Sequence, residues 1–303
     1  FVEQAHAAGA ETCIFGGDWH NNRSTVNVST LNYTASNIEY LSKNFDRVFF
    51  ITGNHDLFYR EKREIHSLPF SKYLSNVTMV NDILEEGNVA LVPWLVGNEW
   101  KEMNKLKARY VFGHFELPHF KMNAMVEMPD HGEIQVDNFS GFESVFSGHF
   151  HLRQSKKNIN YIGNCFPHNY ADAGDDERGL SVLEWGGTPE FHAWPDQPRY
   201  RVFNLSDVIN HTEAMLLPGM HVRVNLDIDI SYEESTFIKE KFVTDYQLRE
   251  LTLIPAKVND LNDYTIQGNI EFESVDQIVH NQLTNIESDK FNKALLLNIY
   301  QNL

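Results

Sequence analysis

Arg47-Val48-Phe49-Phe50-Ile51-Thr52-Gly53-Asn54-His55-Asp56 is the stretch that decides the fold. Its first six residues are mostly apolar, aromatic or β-branched, as in a strand, and Gly53 then breaks the run and delivers Asn, His and Asp in a turn. The same design recurs along the chain. Thr12-Cys13-Ile14-Phe15 runs into Gly16-Gly17-Asp18, Tyr110 to Phe112 into Gly113-His114, and Val145-Phe146 into Gly148-His149-Phe150-His151. Leu31 to Asn44 carries Leu31, Ile38 and Leu41 at helical spacing. Further strand-like runs are Val77 to Val80, Val89 to Leu95, Tyr161 to Ile162 and Leu180 to Trp185. Helices alternating with short strands predict an α/β sandwich with helices outside and sheets inside, its polar motifs gathered beyond the carboxyl ends of the strands.

Composition limits what such a cluster can serve. The 303 residues are 42% hydrophobic and 13% aromatic, enough for a large core, and no run reaches the roughly 18 apolar residues of a membrane span. Phe1 to Gly9 reads as an amphipathic helix without the basic start of a signal peptide. Cys13 and Cys165 give neither a disulfide framework nor zinc-type spacing, which suits a reducing cytoplasm. A formal net charge of −17 argues against a protein that coats nucleic acid unaided, because such binding rests on many Lys and Arg contacts. A nucleic-acid substrate would need metals, a partner, or a local basic patch such as Arg153, Lys156 and Lys157.

A composition shift between Gln197 and Ser206 divides the chain into a main domain over 1–200 and a small α+β cap over 201–258. In the cap, His221 to Ile230 reads as a strand, Tyr232 to Val243 as a helix and Leu248 to Pro255 as a strand. Residues 259–303 read as a polar linker from Asn259 to Ile270 followed by terminal amphipathic helices from Val275 to Leu303.

Asp18, Asn54, His114, His149 and His151 are the ligand types a pair of divalent ions needs for phosphodiester hydrolysis: a bridging carboxylate, an amide oxygen and imidazole nitrogens. His149 and His151 share a face if strand alternation holds. Mixed nitrogen and oxygen ligation suits Mn or Fe, with Mg and Zn open. His55, beside Asn54, fits a proton donor or transition-state contact, and Asp56 fits the group that orients the His55 ring. Taken alone, Asp18 could be an ordinary turn residue, while Trp19 and Trp94 read as packing residues.

Gly-Asp, Gly-Asn-His-Asp, Gly-His and Gly-His-x-His, in this order, resemble the calcineurin-like metallophosphoesterase superfamily. Pro93-Trp94, the Tyr161-Ile162-Gly163-Asn164 turn with Asp172-Ala173-Gly174-Asp175-Asp176, and the appended cap are similar to the nuclease subunit of SbcCD-type (Mre/Rad-type) complexes. Gly113-His114-Phe115-Glu116-Leu117 and Ser147-Gly148-His149-Phe150-His151 are especially similar to the recombination endonuclease subunits of T-even-type phages. The resemblance implies a four-layer α/β/β/α sandwich. It makes Asp18 the bridging ligand, assigns Asn54, His114 and His149 to one metal and His151 to the other, and makes His55 the catalytic histidine. It further implies DNA exonuclease and endonuclease activity, an ABC-type coiled-coil ATPase partner and a homodimer. The family's first motif, Asp-x-His after a first strand, is missing; Asp18-Trp19-His20 mimics it but fits the second motif better, so an amino-terminally truncated domain lacking its first strand, with a single-metal or inactive site unless His20 substitutes, is expected.

Two other functions stay open on the sequence: a stand-alone phosphoesterase for nucleotides or phosphoproteins, and a non-catalytic scaffold if the first motif is truly absent.

Overall fold

The computed structural model describes residues 1–122, 126–132 and 134–255. Helix α1 (Val2–Ala7) leads into strand β1 (Thr12–Phe15), and helix α2 (Val28–Asn44) crosses over to β2 (Arg47–Ile51). Helix α2 begins ahead of the expected Leu31 because the Asn27 side chain caps it, accepting the Thr30 N–H at 2.8 Å. A hairpin of β3 (Leu57–Tyr59) and β4 (Lys62–His66) precedes β5 (Val77–Val80). Strands β1, β2 and β5 form a parallel sheet with β2 in the centre.

A second sheet takes β6 (Leu84–Glu86), β7 (Val89–Val92), β8 (Tyr110–Gly113), β9 (Ser144–Ser147), β10 (Gln154–Lys156) and β11 (Ile159–Tyr161) in the order β10-β11-β9-β8-β7-β6. Its central strands β7, β8, β9 and β11 run parallel.

Alternation along the strands sorts the apolar residues into layers. Ile14, Phe49, Ile51 and Val80 of the first sheet meet Leu91, Val89 and Phe112 of the second in one core cluster, so the two sheets pack face to face. The opposite face of the first sheet turns Val48, Phe50 and Val77 toward Ala5 of α1 and Ile38 of α2. The opposite face of the second sheet turns Ala90, Val92, Val111 and Val145 toward Met103, Phe115, Leu117 and Phe139. Those last residues come from loops and from 3-10 helices at Gly97–Lys105 and Val136–Phe139, so this outer layer is not α-helical among the described residues. The fold is mixed α/β, with several sheets and few helices.

After a hairpin of β12 (Gly179–Val182) and β13 (Glu190–Ala193), the chain builds a third, parallel sheet. It consists of β14 (Tyr200–Asn204), α3 (Leu205–Met215), β15 (His221–Leu226), α4 (Tyr232–Asp245) and β16 (Glu250–Pro255), with strand order β14-β15-β16. The expected β-α-β unit is thus preceded by one more strand and helix. Both helices pack on one face, where Leu205, Val208, Val222, Val224, Phe242 and Leu251 make a separate core. The capping box of Ser231 and Glu234 starts α4 where the sequence predicts it. The described residues belong to one compact unit. The expected linker and terminal helices lie outside the described residues.

Candidate metal centre

Parallel pairing puts the carboxyl ends of β1 and β2 at one edge, and those of β8 and β9 likewise, and each end opens into one of the polar motifs. Gly17 and Gly53 make this crowding possible. Gly17 sits at φ +101°, and a Cβ there would run into the His114 ring; a Cβ on Gly53 would collide with the Asp18 carboxylate. Asp18 (φ 60°) and His149 (φ 81°) are themselves held in the left-handed region. Such strain in non-glycine residues persists only where surrounding structure imposes it, and it collects at functional sites.

Four side chains converge. His114 Nε2 lies 3.1 Å from Asn54 Oδ1, 3.2 Å from His149 Nδ1 and 3.3 Å from an Asp18 carboxylate oxygen. His149 Nδ1 is also 3.1 Å from Asn54 Oδ1. Ligand atoms of Asp18, His114 and His149 all fall within 4.8 Å of one another. The proton inventory shows what the cluster is fitted for. His114 Nδ1 lies 2.8 Å from the Gly16 carbonyl, which can only accept, so Nδ1 carries a proton and Nε2 is the nitrogen turned inward, a lone pair whenever the ring is neutral. It meets the Asn54 oxygen and the Asp18 carboxylate, both acceptors. Lone pairs facing one another inside a buried site fit a cation, and spacings of 3.1–3.3 Å match neighbouring ligands around an ion with bonds of about 2.1 Å. The site can hold a divalent metal through Asp18, Asn54, His114 and His149.

The surroundings tune these ligands. Burial pushes the Asp18 carboxyl up, but the charge and hydrogen bond of His114, with the His55 N–H, bring it down to about 2. Burial works against the charged form of His114, yet the Asp18 carboxylate outweighs it and raises that imidazole. His149 turns its other nitrogen, Nε2, toward Glu116 at 3.4 Å, and Arg60 reaches the same carboxylate at 3.6 Å. The His149 hydrogen bond holds Glu116 below its ordinary pKa. A carboxylate on the outer nitrogen of a ligating histidine fixes its ring and raises its basicity. Trp94 is a packing residue with a place in the site: it is buried and its ring lies 5.4 Å from that of His149 and 6.1 Å from that of His114.

His55 lies beside the cluster and ligates nothing in it. Its N–H donates to Asp18 at 2.8 Å, and its Nδ1 donates to the Asn21 carbonyl at 2.7 Å, leaving Nε2 as its reactive nitrogen. The expected role of Asp56 as the group orienting that ring is corrected here. Asp56 accepts backbone N–H groups from Asp18 (2.7 Å), Trp19 (2.9 Å), His20 (3.4 Å) and Gly53 (2.9 Å), so it fastens the β1 and β2 turns together. Burial, then the neighbouring Asp18 charge, push its pKa up to about 6.

His151 stays outside the four-atom cluster. Its ring lies 5.6 Å from that of His168, and it feels the charges of Asp172, Asp18 and His55. His20 does not stand in for a missing ligand, because it is buried against α2 with Nε2 2.8 Å from the Thr34 hydroxyl. Trp19 packs between Phe15 and Phe50, as its packing reading predicts. In the expected basic patch, Arg153 pairs with Glu177, Lys157 with Asp137, and Lys156 donates to the His119 carbonyl, all at the surface. Both cysteines are free thiols whose pKa burial raises to about 11.

Glu116 and Asn21 are the members that sequence reading missed. Glu116 was recoverable only as the acidic neighbour two residues beyond His114 in the loop after β8; Asn21 acts through its carbonyl and leaves no trace in residue type. No helix among the described residues is long and apolar enough to cross a membrane.

No family model matches the chain. Over 194 residues, 60% of this chain, it is 25% identical to exonuclease subunit 1 of Enterobacteria phage T4, a match spanning 56% of that protein. The chain thus spans about half the length of the curated relative it matches, and the similarity relates it to a nuclease.

Proposed function

We propose that this chain is the nuclease subunit of an SbcCD-type recombination and repair complex, a calcineurin-like metallophosphoesterase that hydrolyses DNA phosphodiesters. The observation that carries this reading is the meeting of Asp18, Asn54, His114 and His149 on one point, each turning an oxygen or ring nitrogen able to ligate a cation toward the others. The similarity to a phage exonuclease subunit supports nucleic acid as the substrate. The face-to-face sheets support the four-layer sandwich, with one outer layer built from 3-10 turns.

Divalent ions held at this site, with Mn favoured by the mixed donors and Fe, Mg and Zn as alternatives, would supply positive charge to the phosphate and Lewis acidity for hydrolysis. The chain's own residues do the rest. Asp18 would bridge two ions, with Asn54, His114 and His149 on one and His151 serving the other. His55, its Nδ1 proton committed to Asn21, would use Nε2 to protonate the leaving oxygen or contact the phosphoryl group. Asp56 keeps the two turns in register. Residues 201–258 would contact DNA, and 259–303 would dock the ATPase. With a net charge of −17, grip on DNA would come from that partner and from a homodimer in the cytoplasm.

The test compares Mn-dependent cleavage of end-labelled DNA with that of small aryl phosphodiesters, with and without the purified ATPase subunit. DNA cleavage that the ATPase accelerates supports the proposal. Turnover of small diesters alone, with no association between the two proteins, contradicts it.

A further inference from the structure

Among the described residues the third sheet is covered on one face. Helices α3 and α4 both pack on the face that carries Val222, Val224 and Leu251. The alternate positions, Val202 on β14, Arg223 and Asn225 on β15 and Ile254 on β16, are brought side by side by register and point the other way. Parallel sheets are normally covered on both faces. Here Val202 is 46% exposed and Ile254 38% exposed, and with Asn169 and Tyr170 they line a cavity of about 480 Å³. It is an open depression, wide enough for one planar group to lie against the sheet.

The chemistry of the lining selects the ligand. The Arg223 guanidinium lies 3.9 Å from the centre of the Tyr170 ring, in stacking contact. Among the described residues no carboxylate lies within ion-pair distance of it, Glu250 on β16 feeling its charge only from farther away. Tyr170 in turn meets Tyr200 edge-on at 5.1 Å, and Tyr200 stacks on His221 at 4.5 Å. An exposed guanidinium backed by an aromatic ladder, with Val202 and Ile254 beneath and the Asn225 amide beside it, offers a planar ligand a cationic stacking surface, an apolar floor and hydrogen bonds to its edge. Nucleobases combine these needs.

The wall of the cavity is tied to the metal centre. Tyr170 follows His168, whose ring faces His151, and Asp172 accepts the His168 N–H at 2.9 Å. Asp172 also holds Arg178, which donates to the His151 carbonyl.

We propose that this cavity binds an unstacked nucleobase of single-stranded DNA, on Arg223 and Tyr170, while the strand passes the metal centre. This rests on the nuclease reading and adds the form of substrate to it. The test uses the full chain in EDTA and a short single-stranded oligonucleotide containing 2-aminopurine, whose fluorescence falls on stacking. Wild type is expected to quench it. Arg223→Gln, on an exposed face, should weaken binding about 5- to 100-fold with an unchanged melting temperature, and Tyr170→Phe should keep the quench. No quench by wild type, or equal affinity in Arg223→Gln, overturns the proposal. Mn-dependent hydrolysis of bis(p-nitrophenyl) phosphate by wild type, a substrate without a base, reports on the metal centre separately. Failure of the cavity with hydrolysis intact therefore falls on the cavity alone.

Discussion

His114 spans the two sheets: from the end of β8 it donates through Nδ1 to the carbonyl of Gly16, at the end of β1, across 2.8 Å. One hydrogen bond thereby fixes the tautomer of a ligand and the separation of the two sheet edges that form the site. The chemistry and the fold depend on the same contact.

Glu116 is expected to act through His149. Glu116→Gln keeps the shape but weakens the partner of Nε2, and should lower Mn affinity or activity by about 10- to 100-fold. Calorimetric titration with Mn²⁺ checks this, and unchanged affinity and activity would remove Glu116 from the site.

His55→Ala should leave metal binding nearly intact while turnover falls by about 10²- to 10⁴-fold, as expected for loss of a proton donor. Metal analysis beside kinetics separates the cases. Loss of metal would make His55 a ligand or a support for Asp18, contrary to its assignment.

Gly17→Ala places a methyl group against the His114 ring at a φ of +101°. The strain should cost roughly 1–3 kcal/mol and lower the melting temperature by several degrees. Gly87, at positive φ with open space around it, is the control for strain without the collision. Equal effects of Gly87→Ala and Gly17→Ala would show that crowding at His114 contributes nothing.

Arg63 clamps the loop that carries Trp94, donating to the Trp94 carbonyl at 3.0 Å and to both Glu99 oxygens at 2.6 and 2.5 Å. Burial raises the Glu99 carboxyl, but the Arg63 hydrogen bonds outweigh it and leave the pKa below 4.5. A depressed carboxyl pKa stabilises the fold above the unfolded value and loses that contribution as pH falls through the folded one. Glu99→Gln should therefore flatten the decline in stability below about pH 4.5, by up to about 1 kcal/mol for this part-exposed pair. Urea melts at pH 3.5 and 6.5 measure it, and identical slopes for both proteins would contradict it.

Legibility in the sequence follows the kind of information each feature needs. Asp18, Asn54, His114 and His149 were readable because each sits on a glycine-flanked turn after an apolar run, a pattern that stability alone does not call for. Helix α3 was not. Asn210, His211 and Thr212 are weak helix formers, His211 departs from helical geometry at φ −136°, and tertiary packing of Leu205 and Val208 overrides propensity. The strand expected from His221 to Ile230 stops at Leu226, where Asp227 turns to cap Ser206 instead. The role of Asp56 was invisible for another reason. Its donors are backbone N–H groups from two turns, and residue types do not show where a carboxylate will find peptide nitrogens.

The central claim is that four side chains from four turns make one cation site. Its most direct measurement is Mn²⁺ binding to the chain by calorimetry or electron spin resonance, for wild type, Asp18→Asn and His149→Ala. Stoichiometric binding by wild type that either substitution abolishes is the predicted result. No binding by folded wild type, or undiminished binding by both variants, would contradict it.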